Sequence, residues 1–202
     1  MRKAAVYIDG QNFHHGLARF GLDSRSFNFW TYARHLTQSK DLSFVKYYGA
    51  RFPRRVSLQK HNSDDAFFKS LTKIGVIVVE GRFIVSGEGS RQQPREKGVD
   101  VRLATDLIFD AMFQRYDDAY VLSADTDLIP AIQQLKKHFR DRRIFNFSFN
   151  KLNIFEQACD ECKLIYSDVA KRFIDANAFQ PTSNTLADLK KKLSFSIDPV
   201  RE

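Results

Sequence analysis

Tyr120-Val-Leu-Ser-Ala-Asp-Thr-Asp-Leu-Ile-Pro130 is the stretch whose reading decides the fold. An apolar run leads straight into two carboxylates one residue apart, Asp125 and Asp127, and apolar residues then recur at helical spacing over residues 128–139. The pattern predicts a buried strand ending at Asp125 and a helix starting at about Asp127. Pro130 then falls in the first helical turn, where its missing N–H is no loss. Two acids at such a corner repel each other unless a cation or a proton lies between them. The remaining sequence is therefore read for other acids that reach the same corner.

Upstream, Ala4-Ala-Val-Tyr-Ile8 is a short apolar run ending in an Asp9-Gly10 turn, which predicts a first buried strand. Helices are predicted over residues 11–20, 28–36 and 57–73, with strands over 42–50 and 76–79, the latter rich in β-branched residues. Residues 86–97 read as a polar loop without periodicity. A helix over 98–113 precedes the strand at 119–124. Downstream come a strand over 144–149, a short helix over 150–159 and the run Lys163-Leu-Ile-Tyr166. Strands alternating with helices call for a mainly parallel sheet covered on both faces. The expected class is α/β, a Rossmann-like three-layer domain with a mainly parallel central sheet, occupying residues 1–179. A helical segment follows Asp168, Gln180-Pro-Thr-Ser-Asn184 reads as a linker, and residues 180–202 form a basic tail with one short helix over 185–193.

Bulk properties narrow the class of function. Hydrophobic content of 43% and charged content of 28% are ordinary for a globular domain, and nineteen Phe residues point to an aromatic core. No apolar run approaches the ~18 residues of a spanning helix, so no membrane partner is expected. Asp9 interrupts the first apolar run too early for a signal peptide, which favours a cytoplasmic location. A net charge of +8 favours a polyanionic partner such as nucleic acid. Cys159 and Cys162 give no disulfide framework and only half a zinc site. His138 has no spacing that would complete one, so helix-borne structural cysteines are expected.

In open α/β sheets, sites form outside the carboxyl ends of the strands where strand order reverses. Asp9 and Asp125 end strands that are neighbours across that point in the usual winding, and Asp127 reaches the same crevice from the next helix. Each acid also has a plain structural role open to it. Asp9 can start an Asx turn, and Asp127 can complement the helix dipole by ~0.3–1 kcal/mol. Asp100, in Lys97-Gly-Val-Asp-Val101, opens a helix after the polar loop; it is either a cap or a fourth acid aimed at the crevice. Asp106 lies six residues further, ~240° around that helix, and reads as a supporting or purely structural acid. Several carboxylates in one crevice cannot all ionise without a counter-charge. A hard divalent cation, Mg2+ or Mn2+, held by Asp9, Asp100 and Asp125, is the natural partner. Such a cation generates a hydroxide nucleophile and stabilises the leaving oxygen of a phosphodiester. No histidine or cysteine stands beside these acids, which argues against zinc. Asn12 either orients a carboxylate, holds a phosphate oxygen, or simply starts the helix.

Tyr7-Ile-Asp-Gly-Gln-Asn12, Lys97-Gly-Val-Asp-Val101 and Ser123-Ala-Asp-Thr-Asp-Leu-Ile-Pro130 together resemble the three signatures of the NYN domain. The resemblance is nearest the LabA-like branch of that family, in the PIN-like nuclease superfamily, and spans roughly residues 3–166. It implies a PIN-like fold, a metal-dependent ribonuclease activity, and a catalytic site of Asp9, Asp100, Asp125 and Asp127 with Asn12 beside it. Leu128 departs from the Phe of many relatives, which affects packing under the site and not the acids.

Substrate contacts are expected from Arg51, Arg54 and Arg55, which follow the second strand, and from Arg91, Arg95 and Lys97 in the polar loop. These either track RNA phosphates, with Phe52 available for stacking, or form a solvated basic surface. Lys190-Lys-Lys192 reads as a solvated helix face, and His14 and His15 as helix surface or packing. The leading expectation is an endonucleolytic ribonuclease with RNA as partner. An RNA-binding or scaffold protein with a silent site is the alternative. The pair Asp125-Thr-Asp127 is also similar to the nucleophile motif of haloacid-dehalogenase-like phosphatases, but that reading leaves Asp9-Gly-Gln-Asn12 unexplained. The sequence does not set the oligomeric state and leaves a homodimer open.

Overall fold

The computed structural model describes residues 1–38, 41–86, 93–151 and 153–174. Strand β1 (Lys3–Asp9) leads into α1 (Gly10–Arg19), a 3-10 turn at Ser24–Ser26, α2 (Phe29–Thr37) and β2 (Asp41–Gly49). Next come α3 (Leu58–Lys73), β3 (Ile77–Glu80), β4 (Arg82–Ser86) and β5 (Gln93–Lys97). The order continues with α4 (Val99–Met112), β6 (Asp118–Leu122), α5 (Ile129–His138) and β7 (Arg143–Ser148). It closes with α6 (Asn153–Ala158), β8 (Glu161–Leu164) and α7 (Ser167–Lys171).

Six strands form one parallel sheet in the order β3-β2-β1-β6-β7-β8. Strand order reverses between β1 and β6. Ile8 pairs with Leu122 there, which brings the end of β1 and the start of the Ser123–Asp125 corner to one carboxyl edge.

The three layers follow from the alternation of side chains along a strand. Ala4, Val6 and Ile8 join a core with Phe13 and Leu17 of α1, Phe29 of α2, and Phe67, Phe68 and Leu71 of α3. Ala5 and Tyr7 join the opposite core, with Leu103 and Leu107 of α4, Ile132 and Leu135 of α5, and Phe155 of α6. β1 is buried from Ala4 to Asp9, as a strand covered on both faces must be. The many phenylalanines fill the first core: Phe13 has Phe27, Phe29 and Phe149 ring centroids within 5.2 Å. Each such side chain stabilises the fold by ~1.5–3 kcal/mol on burial. Asp9 shares the parity of Tyr7, so it emerges toward α4, the helix that carries Asp100.

The structure departs from the sequence reading in several places. Residues 93–97, expected as loop, form β5, paired antiparallel with β4 through Phe83–Glu96 and Val85–Pro94. Their composition carries no strand signal; the pairing comes from β4, and Pro94 is tolerated because this two-stranded ribbon has open edges. Of the run at 163–166, Lys163 and Leu164 lie in β8, a sixth strand of the main sheet that starts earlier, at Glu161. Neither cysteine is on a helix: Cys159 follows α6 and Cys162 lies in β8. The helix after Asp168 is the short α7, after which Ile174 bridges to Phe27. Residues 175–179, the linker and the basic tail lie outside the described residues. Among the described residues, no helix is long and apolar enough to cross a membrane.

Candidate active site

Asp9 is both the last residue of β1 and the N-cap of α1. Its carboxylate accepts the Asn12 N–H at 3.0 Å and the Ser123 Oγ–H at 2.8 Å, and it is only 3% exposed. Burial raises its pKa; the Asn12 and Ser123 hydrogen bonds oppose the rise, and the Asp125 charge adds to it. Gly10 is required next, because a Cβ there would collide with the Tyr47 ring of β2. That close approach lets α1 start directly at the sheet edge.

The corner after β6 is tied to the same point. Ser123 Oγ accepts the Asp125 N–H at 3.0 Å while donating to Asp9, and Asn12 Oδ1 accepts the Ala124 N–H at 3.2 Å. From β7, the buried Asn146 donates to the Val121 and Ser123 carbonyls at 3.3 and 2.9 Å. Asp125 caps a 3-10 turn over Thr126–Leu128 by accepting the Asp127 N–H at 2.9 Å. That turn sits before α5, so the helix starts two residues later than the sequence suggests. Leu128 is buried in the second core beneath the corner.

Asp100 arrives from α4. Gly98, at φ +81°, turns the chain from β5 into the helix, a conformation glycine adopts without strain. Burial first, then the charges of Asp125, Asp9 and Asp127, raise the Asp100 pKa, and Lys97 opposes the rise. Asp9, Asp100 and Asp125 each present an oxygen, and the three atoms lie within 4.8 Å of one another. Among the described residues, no other three His, Cys, Asp or Glu ligand atoms converge in this way. Oxygens sharing one Mg2+ lie no more than about 4.2 Å apart, so the three carboxylates would draw closer together to hold one ion. The donor set is all oxygen, which fits Mg2+ or Mn2+. Asp127 stands beside the three, exposed, and adds to the negative potential at Asp100.

Sequence reading missed Ser123, Asn146 and Glu96. Ser123 stands inside the decisive stretch, and a polar residue at the end of an apolar run is a fair signal for it. Glu96, on β5, is half-buried, and its carboxyl is pushed up to about 7. Burial is the main cause, then the Asp9 charge; a hydrogen bond from the Ala50 N–H opposes the rise, and Asp100 and Asp64 add to it. Nothing in the polar run around it marks this residue.

Asp106 does not join the cluster. It accepts from Lys46 Nζ and Tyr48 OH, each at 2.9 Å, and serves the contact between α4 and β2. Arg51 pairs with Glu80 at 2.8 Å and Asp65 at 3.4 Å, and lies over the Phe68 ring, so much of its charge is already matched. Arg54, Arg55, Arg95 and Lys97 are exposed and make no ion pair among the described residues. Arg91 lies outside the described residues. Burial raises the Cys159 and Cys162 thiols in pKa.

Beside the acids lies a cleft of about 710 Å3 between α1, α3 and the β4–β5 hairpin. His14 and His15 line it; His14 Nδ1 shares a hydrogen bond of 2.8 Å with Ser24 Oγ, and both rings are exposed.

A family model described as NYN domain matches residues 3–168. Among solved structures, the fold is similar to that of a protein of unknown function from Vibrio parahaemolyticus RIMD 2210633. That similarity has a TM-score of 0.58 at 19% identity and covers 83% of this chain and 94% of the other. No curated protein sequence matches the chain.

Proposed function

The chain belongs to the NYN domain family, within the PIN-like nuclease superfamily, and we propose that it is a Mg2+- or Mn2+-dependent ribonuclease that cuts RNA internally. One observation carries this reading: three aspartate oxygens within 4.8 Å of one another at the switch point of the sheet, with two of the acids raised in pKa. Carboxylates so placed repel one another, and a cation between them relieves that repulsion.

Asp9, Asp100 and Asp125 would hold the ion. When bound, it supplies a hydroxide at neutral pH and neutralises charge on the phosphodiester. The chain's own residues provide the positioning. Ser123 and Asn12 fix the Asp9 carboxylate, Asn146 fixes the end of β6, and the Asx turn fixes Asp125. Asp127 extends the acidic wall toward solvent. Arg54, Arg95 and Lys97 supply cations for the substrate's phosphates, with Arg51 already matched by acids; Asn12 lies close enough to the acids to meet a phosphate oxygen. RNA is the partner this assignment implies, in the cytoplasm, and the three signatures favour the LabA-like branch.

The test is cleavage of end-labelled and circular RNAs with Mg2+, Mn2+ or EDTA. Cation-dependent cutting of the circular RNA, lost in Asp9→Asn and Asp125→Asn, is expected. Undiminished cleavage in both variants would overturn the assignment. Tight RNA binding with no turnover across metals would replace it with a silent binding site.

A further inference from the structure

The acids account for one edge of the molecule, but they leave the hairpin and the cleft beside it without a role. The hairpin stands apart from the main sheet. Its alternate residues Phe83, Val85, Pro94 and Glu96 are half-buried while those between them are exposed. Phe83 and Glu96 are cross-strand partners, and both line the cleft. The Phe83 ring packs against Phe52, which ties the hairpin to the loop after β2.

The cleft starts where the acids end. Gly10 and Gln11, directly after Asp9, form part of its lining, and Glu96 is close enough to feel the charges of both Asp9 and Asp100. One wall is aromatic: Phe52 and Phe83 have ring centroids 5.5 Å apart at 58°, and both residues are half-buried. Lys60 holds its ammonium 4.8 Å from the Phe52 ring centroid. Lys60 and Arg95 are exposed and make no ion pair among the described residues. Arg25, by contrast, is matched by Asp64 at 2.7 Å. Gln11, His14 and His15 add hydrogen-bonding groups at the rim.

An aromatic face, unmatched cations and a polar rim in one concave site suit an unstacked nucleobase with its phosphate. The volume lies within the ~300–1,000 Å3 range of small-ligand pockets, which includes a nucleotide. Bases inside a duplex keep their faces stacked and cannot enter. We propose that this cleft receives the base of a nucleotide flanking the scissile phosphate, with Phe52 and Phe83 as the stacking wall and Lys60 and Arg95 on the adjoining phosphate. The substrate strand is therefore unpaired at that position. The proposal rests on reading the aspartates as a phosphodiester site, and gives the hairpin its purpose as a wall of the base subsite.

The test uses single-stranded RNA 12-mers carrying one 2-aminopurine, moved along the strand and titrated with the full chain in Ca2+. Gels verify that the RNA stays intact, and cleavage in Mn2+ is measured separately. One position or two adjacent ones should show strong fluorescence quenching, which annealing to a complement abolishes. Phe83→Leu, which keeps apolar bulk and removes the aromatic face, should weaken binding roughly tenfold, the order of one lost base stack. Phe83→Trp should retain it. Equal binding of single strand and duplex, or unchanged affinity in Phe83→Leu, overturns the base subsite. Localised quenching without cleavage in Mn2+ supports the subsite and overturns the nuclease reading. Cleavage without quenching at any position overturns the subsite alone.

Discussion

Helix α4 carries three aspartates that meet two different environments. Asp106 and Asp110 point at the sheet and share Lys46, at 2.9 and 2.7 Å. Tyr48 donates to the first and Tyr7 to the second, each at 2.9 Å, and Arg115 pairs with Asp110 at 3.1 Å. Asp118, fully buried in β6, is likewise held by Arg2 and Arg143. Asp100, six residues before Asp106, instead meets Asp9 and Asp125, with Lys97 the cation that opposes its raised pKa. The interior acids are neutralised by the fold; the edge acids are not. A partly buried carboxylate with its own cation holds helix to sheet, whereas carboxylates facing one another leave room for a cation from solution.

The contrast is sharpest at Lys46. Lys46→Met keeps the stem and removes the cation that two acids share, leaving Asp106 with Tyr48 and Asp110, 1% exposed, with Arg115 and Tyr7. A loss of about 3–5 kcal/mol is expected in urea denaturation, with Asp110→Asn in the same chain recovering part of it. A loss below about 1 kcal/mol would break the comparison, because the interior acids would then not depend on their cation.

Asp9→Asn is the mirror experiment. Asparagine still caps α1, so the melting temperature in EDTA should stay the same or rise. RNA cleavage in Mn2+ should fall by more than the ~100-fold typical of outer ligand supports. A destabilised but active variant would move Asp9 into the structural class.

Ser123→Ala acts through Asp9 and Asp125, freeing a carboxylate oxygen and an N–H at once. Cleavage should fall about 10–100-fold, and apparent Mn2+ affinity, read by titration, should fall with it. An unchanged affinity would show that the hydroxyl does not orient the ligands.

The smallest effect is on pH. Asp9 and Asp100 are raised in the folded chain, and Glu96 reaches about 7. The unfolded chain therefore releases these protons first as pH rises, so metal-free stability is present at about pH 4 and declines toward pH 7. Melts in EDTA should drop by a few degrees between pH 5 and 7, at about 2–4 °C per kcal/mol. Mn2+ should restore more at pH 7 than at pH 5. A melting temperature that rises over this interval in EDTA would contradict the uncompensated edge.

Much of the scaffold was legible because its signals are local. The run Ala4–Ile8, the turn at Asp9-Gly10 and the apolar entry to Asp125 each identify a buried strand with an acid at its end, and parallel winding places the two ends side by side. Lys46 went unread: a base inside Phe44-Val-Lys-Tyr-Tyr48, otherwise an apolar strand run, asks for a buried acid, but its partners lie sixty and sixty-four residues away. The hairpin went unread because Gln-Pro-Arg-Glu-Lys has the composition of a loop, and strand β4 supplies its pairing. Glu96 and the cleft were lost with it. Arg51 looked free to meet a phosphate, but Glu80 and Asp65 become its neighbours only after α3 and β3 pack.

The sequence by itself determined the alternation of strand and helix, the parallel sheet, and which acids stand at the carboxyl edge: Asp9 ends β1, whereas Asp125 follows the end of β6 by three residues. Those depend on periodicity and turn chemistry within a few residues. Only the tertiary structure decided which acids keep a cation, which partners Asp106 takes, and that a hairpin walls a cleft beside the edge acids. Charge compensation and concavity are set by atoms a few ångströms apart in space and as much as 116 residues apart in the chain, and no local pattern records them.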